Sequence, residues 1–167
     1  MSKTFHYKII VVGDGGVGKT TLILKYTEKR FRESYISTIG VQWTVKEVNY
    51  EGKEIKLIIW DVGGQEIYKK IRTNFYEEGN AAIIVFDLTD PGSFDHVETW
   101  MKEVQTFCGA IPFILLGNKL DLIEQRKVER EEVQTFIQKY NIPYFETSAK
   151  TGENVVDLFN NIIKTIH

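Results

Sequence analysis

Between residues 13 and 21 the chain reads GDGGVGKTT. Gly13, Gly18, Lys19 and Thr20 match the spacing G-x-x-x-x-G-K-[ST], whose residue types suit phosphate chemistry. Glycines let successive backbone N–H groups turn inward around anionic oxygens. A helix that starts at the end of such a loop adds the partial positive charge of its amino end. The main chain of Gly15, Gly16, Val17 and Gly18, continuing through Lys19, Thr20 and Thr21, is the expected cradle. The Lys19 ammonium reaches the β- and γ-phosphates, and the Thr20 hydroxyl is a hard oxygen ligand suited to Mg²⁺. A glycine-rich structural turn is the competing explanation, but a greasy run precedes the loop and a helical pattern follows it, as the motif requires.

This loop does not select a base. NKLD (118–121) follows a second buried apolar run, FILLG. Guanine presents an N1–H and an exocyclic amine side by side, and one carboxylate accepts from both, whereas adenine has no such pair of donors. Asp121 is therefore the expected guanine reader. Asn118 is placed to tie this loop to the phosphate loop, and the stem of Lys119 to lie along the ring face. ETSAK (146–150) ends the next apolar segment. There the Ala149 N–H is placed to donate to the guanine oxygen, with Ser148 and Lys150 beside it. Either short motif alone fits a solvated polar loop; their placement after consecutive strands of a chain with a phosphate loop favours a nucleotide site.

The elements that must hold these residues alternate. YKIIVVG (7–13), AAIIVFD (81–87) and PFILLGN (112–118) are continuously apolar, as are strands buried on both faces. GVQWTVKEVNY (40–50) and KEIKLIIWD (53–61) flank Glu51-Gly52, a hairpin signal. Helical periodicity runs from Lys19 to about Lys29, Ser93 to about Thr106, Glu129 to Tyr140 and Val155 to Ile166. A short strand, PYFET, precedes the last helix. The alternation predicts an α/β fold with a six-stranded, mostly parallel sheet, one antiparallel edge strand and about five helices on both faces. Ligands of such sheets sit outside the carboxyl ends of the strands.

The 167 residues suit one domain, 1–167. A net charge of −2 supplies no field for nucleic acid. The single cysteine, Cys108, excludes an internal disulfide. No segment reads as a signal peptide or approaches the ~20 apolar residues of a membrane span, so a cytoplasmic setting is expected.

In order along nearly the whole chain, GDGGVGKT, Thr38, WDVGGQE, NKLD and TSAK resemble a small GTPase of the Ras superfamily. FRESYISTIGV (31–41) and KLIIWD (56–61) are most similar to the Rab family; Val62 and Gly63 in DVGG resemble the Arf family instead. The resemblance implies a P-loop NTPase G domain that binds GTP or GDP with Mg²⁺ and hydrolyses GTP slowly. It implies that Asp61 holds Mg²⁺ through a water and Thr38 supplies a second hydroxyl ligand. Gly64 offers its N–H to the γ-phosphate, and Gln65 orients the attacking water. Phe31 packs edge-on to the guanine, and Tyr35 closes over the phosphates. Residue chemistry agrees: an acid ends a strand at the phosphate edge, a backbone amide approaches phosphate closely where no side chain intrudes, and an amide side chain both donates and accepts. Lys19, Gln65 and Thr38 are the expected catalytic residues, and Thr20, Thr38 and Asp61 the metal site. Both loops would be held by the third phosphate and released on its loss, a switch. Trp43, Trp60 and Phe75 match an apolar patch that Rab effectors read; ordinary hairpin packing accounts for them equally well. Exchange factor, GTPase-activating protein and effectors are the implied partners, in membrane trafficking or related signalling. Rab proteins usually carry a tail with prenylated cysteines, whereas this sequence stops at IIKTIH with no cysteine there; the resemblance implies a place at the cytosolic face of a membrane only where such a tail follows, and otherwise a protein that is not prenylated.

His6, His96 and His167 show no metal or triad spacing, and the Trp100 stripe reads as core. A P-loop kinase would need a second substrate site and an arginine-bearing lid, which the sequence lacks. A nucleotide-locked scaffold is disfavoured by intact Gly15, Thr38 and Gln65.

Overall fold

A computed structural model describes residues 3–28 and 40–167. Phe31, Tyr35 and Thr38 lie outside the described residues. The strands are β1 (Thr4–Val12), β2 (Val41–Tyr50), β3 (Lys53–Val62), β4 (Ala81–Asp87), β5 (Phe113–Asn118) and β6 (Tyr144–Glu146). The α-helices are α1 (Lys19–Glu28), α2 (Lys69–Arg72), α3 (Pro91–Asp95), α4 (Val97–Cys108), α5 (Arg130–Tyr140) and α6 (Val155–Ile166). The sheet order is β2-β3-β1-β4-β5-β6. β2 pairs antiparallel with β3 at the edge, and every other pairing is parallel. This is the α/β architecture expected from the alternation of apolar runs and amphipathic segments.

Period-two alternation in the central strands feeds two cores. Ile9 and Val11 of β1, with Ile83 and Val85 of β4, pack toward α1 and α6, where Tyr26 stacks on Phe159 with ring centroids 3.8 Å apart. Ile10, Val12, Ile84 and Phe86 pack on the other face against Val97, Trp100, Met101 and Val104 of α4. All seven residues of β4 are buried, so no alternation is visible in its sequence. Burying each such aliphatic side chain contributes about 1.5–3 kcal/mol, which makes these strands the rigid base of the molecule.

Three details depart from the expected boundaries. The helix predicted over 93–106 is two helices, α3 and α4, broken at His96 (φ −90°, ψ −4°). Asp90 caps α3, accepting from the Gly92 N–H at 3.1 Å, with Pro91 at the first turn. β1 begins at Thr4, because its first residues pair with β3 from Glu54 onward. A short helical turn, Glu66–Tyr68, and α2 follow β3 where no helix was predicted.

Candidate functional site

The loops that leave β1, β3, β4, β5 and β6 at their carboxyl ends meet at one edge of the sheet. Gly13 closes β1 with φ 146°, and a Cβ there would stand 2.2 Å from the Val85 carbonyl oxygen. Gly18 enters α1 with φ 96°, and its Cβ would stand 2.3 Å from Asn118 Nδ2. Both close approaches require glycine, as does the positive φ of Gly16. Thr20 lies in the first turn of α1 and donates its hydroxyl to Asp61 Oδ2 at the end of β3.

Lys19 is buried, with Nζ donating to the carbonyls of Gly13 (2.9 Å) and Asp14 (3.0 Å). Burial pulls its ammonium down to about 8, and the nearby Asp61 and Asp14 only partly offset that. Thr21 is half-buried one residue further along α1.

Asn118 joins three loops. Its Nδ2 donates to Val17 C=O at 3.0 Å, while Oδ1 accepts from Thr147 Oγ1 and the Ala149 N–H, both at 3.2 Å. Lys119 takes a left-handed backbone (φ 71°), and its head bridges Gly16 C=O at 2.9 Å and Asp87 Oδ2 at 2.7 Å. The Asp121 carboxylate is exposed at the start of a 3₁₀ turn, with Oδ1 accepting from Ser148 Oγ at 2.8 Å. One carboxylate edge is thus fixed beside the Ala149 loop. Lys150 is exposed next to it.

On the other side, Gly64 leans on the phosphate loop: a Cβ would stand 2.3 Å from Gly13 O and 2.7 Å from Gly15 N. Gly63 has no positive φ, and its N–H donates to Gly40 C=O at 2.7 Å. Gln65 is exposed and extended (φ −79°, ψ 139°). Beyond it, Ile67, Ile71, Phe75, Trp43 and Val45 present large apolar side chains to solvent. Trp43 is register partner to Trp60, and Trp60 stacks on Phe75 at 5.6 Å while packing into the α4-side core. Trp43, 61% exposed, is therefore surface, and Trp60 is its half-buried base.

A second tier of residues carries no sequence motif. Asp14 receives the Trp100 indole N–H at 2.8 Å and pairs with His96 Nδ1 at 2.5 Å, so α4 holds the phosphate loop from behind. Arg72 forks onto Glu103, and its Nη1 donates to the Gln65 carbonyl at 2.7 Å. No spacing rule links positions 14, 72, 96, 100 and 103; only the packing of α2 and α4 on the sheet edge brings them together.

A glycine-rich loop between a central parallel strand and a helix amino end, backed by a buried lysine and a threonine–aspartate pair, defines a P-loop nucleotide-binding domain. The chain matches the Ras family over residues 8–167 and belongs to that family. It is similar to Ras-related protein Rab-13 of Rattus norvegicus, at 42% identity over 161 residues, 96% of this chain and 79% of that protein. Ras-related protein Rab-13 of Bos taurus is 41% identical over the same shares. Ras-related protein Rab-1D of Dictyostelium discoideum is 39% identical over 163 residues, 97% of this chain and 80% of that protein. The protein is thus a Rab-like small GTPase, a molecular switch of the Ras superfamily.

Proposed function

We propose that residues 1–167 form a single G domain that binds GTP and GDP with Mg²⁺, hydrolyses GTP slowly, and signals its nucleotide state to partners in membrane trafficking. The observation that carries this reading is Asn118, whose amide joins Val17 of the phosphate loop to Ala149 of the base loop. Lys19 and the amides of Gly15, Gly16, Val17 and Gly18 bind the phosphates. Asp121 accepts from the guanine donors, Ala149 N–H and its neighbours Ser148 and Lys150 close the oxygen side, and the Lys119 stem supports the ring.

The hydroxyl of Thr20 and the carboxylate of Asp61 are hard oxygen donors already paired at the phosphate edge, a donor set that fits Mg²⁺. When bound, the ion offsets the charge that develops on the phosphate oxygens. Thr38 is the further oxygen ligand in this reading, with Phe31 and Tyr35 flanking the nucleotide. Gln65 orients the attacking water through its donor and acceptor, and Gly64 presents its N–H to the last phosphate because no side chain stands in the way. The guanidinium of Arg72 is committed to Glu103 and the Gln65 carbonyl, and full hydrolytic speed is expected to need an arginine from an activating protein. The exposed Trp43, Ile67, Ile71 and Phe75 are the surface that an effector reads on the base of Trp60.

Asp121→Asn tests the base assignment. The amide pairs with the extra carbonyl of xanthine, so affinity moves from guanine to xanthine nucleotides, read by competitive titration. GDP affinity unchanged by the substitution would show that Asp121 does not read the base.

A further inference from the structure

Arg72 is the most buried charged residue among those described, at 2% exposure, though it ends a four-residue helix on the surface. Its guanidinium is engaged on every side. Nε and Nη2 fork onto Glu103 Oε2 and Oε1 at 3.0 and 2.9 Å, Nη1 reaches the Gln65 carbonyl at 2.7 Å, and the plane lies 4.5 Å from the centre of the Trp100 ring. Tyr76 donates its hydroxyl to Glu103 Oε2 at 2.5 Å, completing that carboxylate. Glu103 and Trp100 both stand on α4, whose apolar face is packed on the sheet. Two partners of Arg72, Glu103 and Trp100, therefore belong to a packed element, while Gln65, Glu66 and Ile67 are exposed.

A buried ion pair contributes little net stability compared with an apolar packing of equal volume, because both charges must be desolvated. What a forked guanidinium adds is direction: three N–H vectors in one plane fix two partners relative to each other. Here the partners are α4 and the Gln65–Glu66 segment, held through the Gln65 carbonyl and a longer ion pair from Nη2 to Glu66 Oε2 at 3.8 Å. The Trp100 ring under the guanidinium also donates to Asp14, so the same group is referenced to the phosphate loop.

We propose that Arg72 is a positioning residue for GTP hydrolysis: with Glu103, Tyr76 and Trp100 it pins the Gln65 peptide to α4 and so sets the direction of the Gln65 side chain. This rests on Gln65 as the residue that orients the water. Lysine keeps the charge but cannot make the fork, so Arg72→Lys removes the tie between α4 and the Gln65 carbonyl, which keeps only its local bond from the Tyr68 N–H at 3.1 Å.

The test is a double-mutant cycle on the full chain, reading single-turnover GTP hydrolysis and, separately, GTP and GDP affinity. Arg72→Lys is expected to slow hydrolysis by about 10-fold while both affinities stay within about 2-fold, the pattern of a group that acts on the transition state alone. In a Gln65→Leu background the same change is expected to have no further effect on rate, because the group it positions is gone. A purely structural role would slow both backgrounds alike. Should Arg72→Lys fail to fold, Glu103→Gln carries the same cycle, since it keeps the shape but removes the charge and turns one of the two oxygens that receive the fork into a donor. A rate that depends on Gln65 but is untouched by these changes, or slowed equally in both backgrounds, overturns the positioning role alone. Gln65→Leu hydrolysing at the wild-type rate overturns the reading of Gln65 itself, and the positioning role with it.

Discussion

His96 and Asp14 meet where α4 touches the phosphate loop, and their pairing is pH-dependent. The hydrogen bond and charge of Asp14 raise the His96 imidazolium above its ordinary value, with Asp95 and Asp90 adding to the effect. A raised folded-state pKa means that the folded chain holds the proton more tightly. The pair's contribution to stability is therefore fully present below about 6.5 and lost as pH rises through the raised value. NMR titration is expected to show His96 titrating above 6.5, the ordinary histidine value, and returning toward it in Asp14→Asn. An unshifted His96 in the wild type would contradict the pairing. The candidate site residues that the structure gathers at one sheet edge were legible because each sits in a short motif whose chemistry dictates its spacing: Lys19 and Thr20 after the glycines, Asp121 three residues after Asn118. Asp14, Arg72, His96, Trp100 and Glu103 were not, because their partnership depends on which helix face lands on which loop. Trp100 was read as core, and it is buried, but periodicity says nothing of its indole N–H, which serves the phosphate loop.

At the level of elements, the β2–β3 hairpin turns through Glu51 (φ 49°) and Gly52 (φ 79°), with Asn49 Oδ1 accepting from the Gly52 N–H at 3.1 Å. Two positive φ angles match the two-residue turn that favours Asn-Gly. Glutamate has no local compensation for the left-handed region, whereas asparagine tolerates it. Glu51→Asn is expected to stabilise the fold by about 0.5–1 kcal/mol, seen as a higher denaturant midpoint with an unchanged slope. A lower midpoint would mean that the turn does not carry this strain. The hairpin itself was readable, since alternating runs flank a glycine. The break between α3 and α4 was not. Phe94, Val97, Trp100, Met101 and Val104 keep helical spacing across His96, because both helices pack on the same core and so preserve the same apolar stripe. The segment after Gln65 was also unreadable as helix: α2 is four residues long, too short for a period to register, and is held by Arg72 instead of by an apolar face.

Across the whole molecule, two cores flank a sheet whose carboxyl edge gathers the candidate site, and the β2–β3 end carries an exposed apolar surface beside it. The segment from Gly63 to Phe75 borders both: Gly64 leans on the phosphate loop, Arg72 reaches α4, and Phe75 stacks on Trp60. In the proposed function, this continuous stretch of chain is the route by which a change at the last phosphate would reach the Trp43 surface. Among the described residues no helix is long and apolar enough to cross a membrane. The central claim is that this edge holds a guanine nucleotide. The most direct measurement is chromatography of nucleotide released from the purified, denatured protein, quantified against chain concentration. Guanine nucleotide, mostly GDP, is expected at close to one per chain; adenine nucleotide at that stoichiometry would contradict the guanine site.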